Sequence, residues 1–426
     1  MFKNLVYPEQ SDLPNKLDYG ICYCGGGFRA CVLTYGSIGG ILEKLDKIKY
    51  ISGVSGSTWF IVSFIYYYNK IQFDKPIEPE DCTLENINHL EMNTFGDTLN
   101  SINLLKEFIE ETIECDDRII NKWITVIYES FFEKYGNQDT KLDFSKYPYP
   151  LIQTTISYDD VNERLFQAEF TPYYSSVPIC YEKNNIKYGG YNIESKLFCK
   201  NYYIEPSSQS GISSSFIEAG KELVTKNRYR GTNYELLNPN TSQINCANLV
   251  DGGIFENTGL IGLIRRKTKN LHMNIYPKVP ITDKNFVSEL RYFTSLFDGN
   301  PGSDKRGIFK LGLWDEVYDK LLYKLDNGKP LTILLKDIEI LSNDYFQIEG
   351  YGFTNILLHV SSCPSLWFDK LPKQTQLYIK EKYCDFPYIS VLKYKLDIPT
   401  INLMYNVIRW DIENSDEYKE FYSISE

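Results

Sequence analysis

Apolar residues recur in two rhythms along the first 70 positions. Tyr19–Cys24 is a short, nearly continuous apolar run and predicts a buried strand. Three glycines, Gly25 to Gly27, break it. Arg29–Leu45 then places Val32, Tyr35, Ile38 and Leu42 near helical spacing, which predicts a helix. Lys49–Val54 reads as a second strand and Thr58–Tyr68 as a second helix. A strand–helix–strand–helix succession packs as parallel α/β structure.

The rhythm changes between 70 and 148. Pro76 and Pro79 interrupt the chain, and helical spacing follows. Leu99, Ile102, Leu105, Ile109 and Ile113 share one face, and Ile120, Trp123, Val126, Ile127 and Phe131 mark another helix. This stretch predicts a helical excursion from the α/β body. Strands are expected again at Leu151–Ser157, Leu165–Phe170, Phe198–Ile204, Asn245–Val250 and Met273–Lys278, with a helix through Leu260 and Ile264 to Arg266. Residues Thr171–Asn192, rich in Tyr, Pro and Gly, read as a long loop, and loops of that length are usually functional or mobile. The last 140 residues alternate helices and strands, among them Leu331–Leu341, Asn355–Val360 and Ile401–Trp410.

Composition narrows the function. The 426 residues carry a formal net charge of −11 with a pI near 5.1, which argues against a nucleic-acid partner and against a polybasic membrane anchor. No run reaches the roughly 18 apolar residues of a transmembrane helix, and the start M-F-K-N-L-V-Y-P-E-Q has no apolar core of a secretory leader. Ten scattered cysteines without a C-x-x-C pair point to free thiols in a reducing compartment, so a cytoplasmic protein is expected. Only His89, His272 and His359 are available as imidazoles, which disfavours a zinc site. No metal and no cofactor are expected.

Three stretches carry chemistry. In C-G-G-G-F-R-A (24–30), glycines at a strand end leave backbone N–H groups bare, able to bind an oxyanion, and Arg29 adds a positive charge one turn into the helix. The same glycines also fit a dinucleotide loop, G-x-G-x-x-A. That fingerprint wants an acid at the end of the second strand, where this chain has Ser52 and Ser55. In I-S-G-V-S-G-S-T-W (51–59), Ser55 sits at a tight strand-to-helix turn between small neighbours, a geometry that exposes a nucleophilic hydroxyl. In V-D-G-G (250–253), Asp251 follows a strand. A buried carboxylate beside a serine hydroxyl can orient it and take its proton. An ordinary Asp-Gly turn is the alternative for this stretch alone.

Taken together, C-G-G-G-F-R-A, G-V-S-G-S-T-W and V-D-G-G resemble the catalytic domain of cytosolic phospholipase A2 and the fungal lysophospholipases, relatives of the patatin-like acyl hydrolases. F-Q-A-E-F-T-P-Y (166–173) and E-S-K-L-F (194–198) add to the likeness, which covers roughly 18–270. The resemblance implies an α/β fold with a central, mostly parallel sheet flanked by helices and a helical, cap-like excursion. It implies Ser55 as nucleophile, Asp251 as base, Gly26 and Gly27 as oxyanion hole, and Arg29 facing a lipid phosphate. It implies hydrolysis of acyl esters in phospholipids or lysophospholipids through an acyl-enzyme, with transient contact to a membrane surface. Because Asp251 is followed by Gly-Gly, as in patatins and lysophospholipases, the preferred lipid stays open. Because the first motif begins at residue 24, the calcium-binding lipid-docking domain of some relatives is not expected ahead of it.

The glycine loop and Asp251 must meet if they share a site, so 1–426 is read as one domain: a motif-bearing body at 18–270, the excursion at about 70–148 inside it, and an α/β extension at 271–426. Three other functions stand beside the hydrolase. The order Ser55, Asp251, His359 also suits a Ser–His–Asp hydrolase. An acyltransferase would differ only in what accepts the acyl group, and a silent lipid-binding protein would keep the fold without turnover. The Tyr-rich loop and the excursion are expected to cover Ser55 as a lid.

Overall fold

A computed structural model describes residues 5–14, 16–104, 119–138, 142–158, 160–161, 164–200, 203–215, 232–300, 305–383, 386–390, 393 and 395–424. The strands that organise it are β1 (Tyr19–Tyr23), β2 (Ile48–Val54), β3 (Tyr149–Tyr158), β4 (Phe166–Phe170), β5 (Tyr174–Val177), β6 (Tyr181–Lys183), β7 (Ile186–Tyr188), β8 (Tyr191–Glu194), β9 (Thr232–Asn238), β10 (Gln243–Val250), β11 (Asn270–Ile275), β12 (Thr332–Ile340) and β13 (Tyr351–Val360). All but β6 and β7, which form a separate hairpin, join one sheet. Its centre runs β13–β11–β1–β2–β3 with every neighbouring pair parallel. Antiparallel strands flank it, β12 on one side and β4, β5 and β8 on the other.

The parallel centre explains the early pattern. β1 is buried at every position, and β2 at every position but Lys49, because helices cover both faces of such a sheet. The crossover between them is the helix Gly27–Gly40, buried from Phe28 to Gly39. A single turn of 3₁₀ helix follows at Leu42–Lys44. The helix Ser57–Tyr66 after β2 is buried throughout. The C-terminal residues complete this body. The helix Ile398–Glu413 packs on Gly27–Gly40, Tyr405 stacks 4.5 Å from Tyr35, and its hydroxyl donates to the Asp74 carbonyl at 2.8 Å.

Several expectations are corrected. The stretch 171–192 is no loop. β5 and β8 extend the main sheet, β6 and β7 pair beside it, and Tyr188 and Tyr191 are buried. Its strands are three or four residues long, too short for an alternation to emerge among the glycines and prolines. Phe198–Ile204 holds no regular strand among its described residues, only an isolated bridge at Cys199, whereas Thr232–Asn238 is a strand that the pattern did not predict. The strand expected at Met273–Lys278 lies at Asn270–Ile275. In the excursion, helices form at Leu84–Ile87, Phe95–Ser101 and Ile119–Phe131, with Trp123, Val126, Ile127 and Phe131 buried. The first of the two predicted faces stops early, since Ile102 is already extended, and Leu105, Ile109 and Ile113 lie outside the described residues. Among the described residues no helix is long and apolar enough to cross a membrane.

One buried ionic cluster ties the body together. Arg266, just past the helix Leu260–Arg265, pairs with Glu169 of β4 at 2.6 Å and with Glu9 of the N-terminal segment at 2.8 Å, all at or below 1% side-chain exposure. Its guanidinium also lies 4.0 Å from the ring centre of Tyr7.

Candidate active site

The sheet brings the three motif stretches to one point by an unexpected route. β1 and β2 are parallel neighbours in register Tyr23 to Gly53, so the glycine loop and the Ser55 turn leave the same sheet edge side by side. β10 is antiparallel to β3 and does not belong to that parallel set. β2 and β10 pair with the same flank of β3 and approach each other head on. Val54 is opposite Gln153, and Val250 is opposite Thr155. The first residues beyond the two strand ends are Ser55 and Asp251, and they meet there. The Ser55 hydroxyl donates to Asp251 Oδ2 at 3.1 Å.

Close backbone packing is what the glycines permit. A Cβ on Gly56 would stand 2.1 Å from the Gly27 carbonyl oxygen, so the elbow and the glycine loop touch backbone to backbone. Gly27 has φ +60°, which glycine adopts without strain. Ser55 itself has φ +53°, uncommon for a residue with a side chain and a recurrent mark of functional turns. Gly27 opens a 14-residue helix, whose first-turn N–H groups have no partner within the helix and carry the positive end of its dipole.

Asp251 is 4% exposed, and burial pushes its carboxyl up to about 7, opposed by the Gly253 N–H and the Ser55 hydroxyl. The Gly253 N–H donates to its Oδ1 at 2.8 Å, which leaves Oδ2 for Ser55. Ser55, Asp251, Gly26 and Gly27 line one cavity of about 240 Å³, whose remaining wall is largely apolar: Phe28, Trp59, Trp123 and Ile254. Trp123 comes from the helical excursion, which thus lends a residue to the cavity wall. The Tyr-rich stretch 171–192 contributes no residue to this cavity.

Arg29 does not line this cavity either. It is 2% exposed, and its guanidinium donates to the carbonyls of Ile389 at 2.6 Å and Tyr276 at 3.1 Å. Burial lowers its pKa. The histidine triad finds no support in the geometry. His359 meets Asp411 at 3.2 Å and Tyr418 at 2.9 Å, and His272 meets Tyr418 and Tyr422 at 2.8 and 2.9 Å. These three partners come from the last two helices, so both imidazoles are buried anchors of the C-terminal helices to the sheet. His89 is exposed in the excursion.

Two serines escaped the sequence reading. The helix Pro206–Ser213 reads P-S-S-Q-S-G-I-S, without an apolar stripe, yet most of it is buried. Ser213 accepts the Ser55 backbone N–H at 2.9 Å and donates to the Gln153 carbonyl at 2.6 Å, which holds the strained turn against β3. Ser214 accepts from both indoles of the cavity wall, Trp59 at 2.8 Å and Trp123 at 3.3 Å. A polar run that is buried must spend its hydroxyls on specific partners, and a serine cluster without a solvated face was the one available signal. Ser213→Ala leaves the Ser55 N–H without its acceptor. We expect kcat of any ester reaction at this site to fall about tenfold with KM nearly unchanged, on the scale of one buried unsatisfied donor. Steady-state kinetics check this, and an unchanged kcat would remove Ser213 from the positioning of the turn.

Comparison with known proteins finds likeness in sequence and in fold. No protein-family model matches the chain. Human cytosolic phospholipase A2 zeta is 30% identical over 195 residues, which are 41% of this chain and 20% of that protein. The solved structure of human GIVD cytosolic phospholipase A2 superposes with a TM-score of 0.52 at 13% identity, covering 95% of this chain and 60% of that one. The chain thus spans a fifth of the length of that curated relative and three-fifths of the solved one. Over two-fifths of its length the chain is similar in sequence to a cytosolic phospholipase A2, and over nearly all of it the α/β fold is that of the solved cytosolic phospholipase A2.

Proposed function

We propose that the chain hydrolyses fatty-acyl esters of glycerophospholipids or lysophospholipids, with Ser55 as nucleophile and Asp251 as the sole base. The observation that carries this reading is the 3.1 Å Ser55–Asp251 hydrogen bond inside an apolar cavity that also holds Gly26 and Gly27. As Ser55 Oγ attacks the ester carbonyl carbon, its proton passes to Asp251 Oδ2. Negative charge develops on the carbonyl oxygen, where the N–H groups of Gly26 and Gly27 and the helix dipole stabilise it. The tetrahedral adduct collapses with cleavage of the bond to the alcohol oxygen, which takes the proton from Asp251 and leaves. Asp251 then accepts a proton from water. The hydroxide so formed attacks the acyl-serine, and the fatty acid departs as Ser55 regains its proton.

The wall of Phe28, Trp59 and Trp123 suits an acyl chain. The name of the human relative, a phospholipase A2, supports a phospholipid as the source of that chain. Such a substrate is met at a membrane surface, which the protein touches transiently from the cytoplasm. A panel of phospholipids, lysophospholipids and neutral esters, scored by fatty-acid release, tests the reading. Release from none of them by folded protein overturns it.

The base also sets a pH dependence. A carboxyl held at about 7 must lose its proton to work, so kcat/KM is expected to climb as pH rises from 5 to 7 and to level off above. A profile that is flat, or falls, between pH 5 and 8 contradicts Asp251 as the base.

A further inference from the structure

Among the described side chains lining the Ser55 cavity, one carries a positive charge, and it is Lys393 rather than Arg29. Lys393 is exposed, and among the described residues no carboxylate lies within ion-pairing distance of its ammonium, which instead stands 5.0 Å from the centre of the Tyr383 ring. Arg29 is placed otherwise. Its guanidinium is sealed between two backbone carbonyls, Tyr276 just beyond β11 and Ile389 in the stretch that leads to Lys393. Resting on the phospholipid reading above, we infer that Lys393 binds the lipid phosphate at the cavity mouth. Arg29 is a positioning residue that pins Ile389, four residues before Lys393 in the sequence, to Tyr276 at the end of the central sheet.

The chemistry suits this division. A phosphate keeps its charge and needs a cation that can stay hydrated until substrate arrives, and a flexible lysine ammonium at a rim does this. A guanidinium that already donates to two carbonyls would have to give up those bonds to take the same oxygen atoms. Among the described residues the cavity offers no second cation to neutralise the charge of a bound headgroup, and its acid, Asp251, belongs to the proposed chemistry. Lys393 therefore adds charge selection to a site whose walls otherwise select only for apolar chains.

Two micellar substrates with the same acyl chain separate the roles: lysophosphatidylcholine, which carries a phosphate, and a monoacylglycerol, which does not. Both are presented in uncharged detergent to the full-length protein. Lys393→Gln is expected to lower kcat/KM for the phosphate ester about tenfold, mainly through KM, and to leave the monoacylglycerol within about twofold, the scale of one charge-assisted contact. Lys393→Arg should restore most of the loss. Arg29→Gln should lower both substrates together, because it displaces the stretch without reading the phosphate. An unchanged substrate ratio in Lys393→Gln, or a phosphate-selective loss confined to Arg29→Gln, overturns the assignment while leaving the hydrolase intact. Failure of the unmodified protein to cleave either ester overturns the hydrolase reading, and this assignment falls with it. Since Lys393 is a surface side chain, thermal melting of Lys393→Gln should match the unmodified protein.

Discussion

Replacing Ser55 or Asp251 with alanine is expected to cut ester hydrolysis by at least about 10⁴-fold, and the double replacement should fall no further. Non-additivity follows from the geometry. The two side chains share one hydrogen bond of 3.1 Å, and no histidine lines the cavity to act in place of the carboxylate. Asp251→Asn should be as inactive, since an amide keeps the shape and cannot take the serine proton. The same variant separates chemistry from folding. The Asp251 carboxyl titrates at 3.8 when unfolded and about 7 when folded, so the folded state binds its proton more tightly. Its contribution to stability is fully present below 3.8 and is lost as pH rises through 7. Asn carries no such loss. Asp251→Asn should therefore be about 4 kcal/mol more stable relative to the parent at pH 8 than it is near pH 4. A dead enzyme that melts higher at pH 8 is the expected pairing. An active Asp251→Asn protein would rule out this base.

Arg266→Met is expected to cost about 3–5 kcal/mol of folding stability. Glu9 and Glu169 are both fully buried and face this one guanidinium at 2.8 and 2.6 Å. Removing it leaves two carboxylates without their main counter-charge, and Arg265 reaches Glu169 only at 3.8 Å. The cluster joins the N-terminal segment, β4 and the residues after the Asp251 turn, so its loss loosens three parts at once. Adding Glu169→Gln to Arg266→Met should recover part of the loss, because the penalty lies in the unpaired charge rather than in the missing contact. Urea unfolding of the single and double variants checks this. Equal stability of Arg266→Met and the parent protein would contradict it.

The centre of the fold and the tight turn at Ser55 could be read directly from the chain because their causes are local. An apolar run bounded by glycines becomes a buried parallel strand, and small residues on both sides of Ser55 allow one tight turn. What escaped depends on partners distant in sequence. The strands β5 to β8 are too short to show an alternation. The helix Pro206–Ser213 is polar by composition and buried only because Ser55, Gln153 and the two tryptophans take up its hydroxyls. The head-on meeting of β2 and β10 along β3 follows from a register between segments 100 residues apart, which no spacing within either motif encodes. Arg29 illustrates the opposite risk. Its place after the glycines fits a phosphate ligand, and its surroundings turn it toward Tyr276 and Ile389.

In the proposed chemistry the Ser55 hydroxyl is a nucleophile activated by Asp251. Fluorophosphonates form a stable covalent adduct with activated serines, and peptide mass spectrometry locates it. Stoichiometric labelling is expected at Ser55 in the folded protein, with little or no labelling in Asp251→Asn and unchanged labelling in His359→Gln. An adduct on another residue, or labelling of Ser55 that survives Asp251→Asn and disappears in His359→Gln, would contradict it.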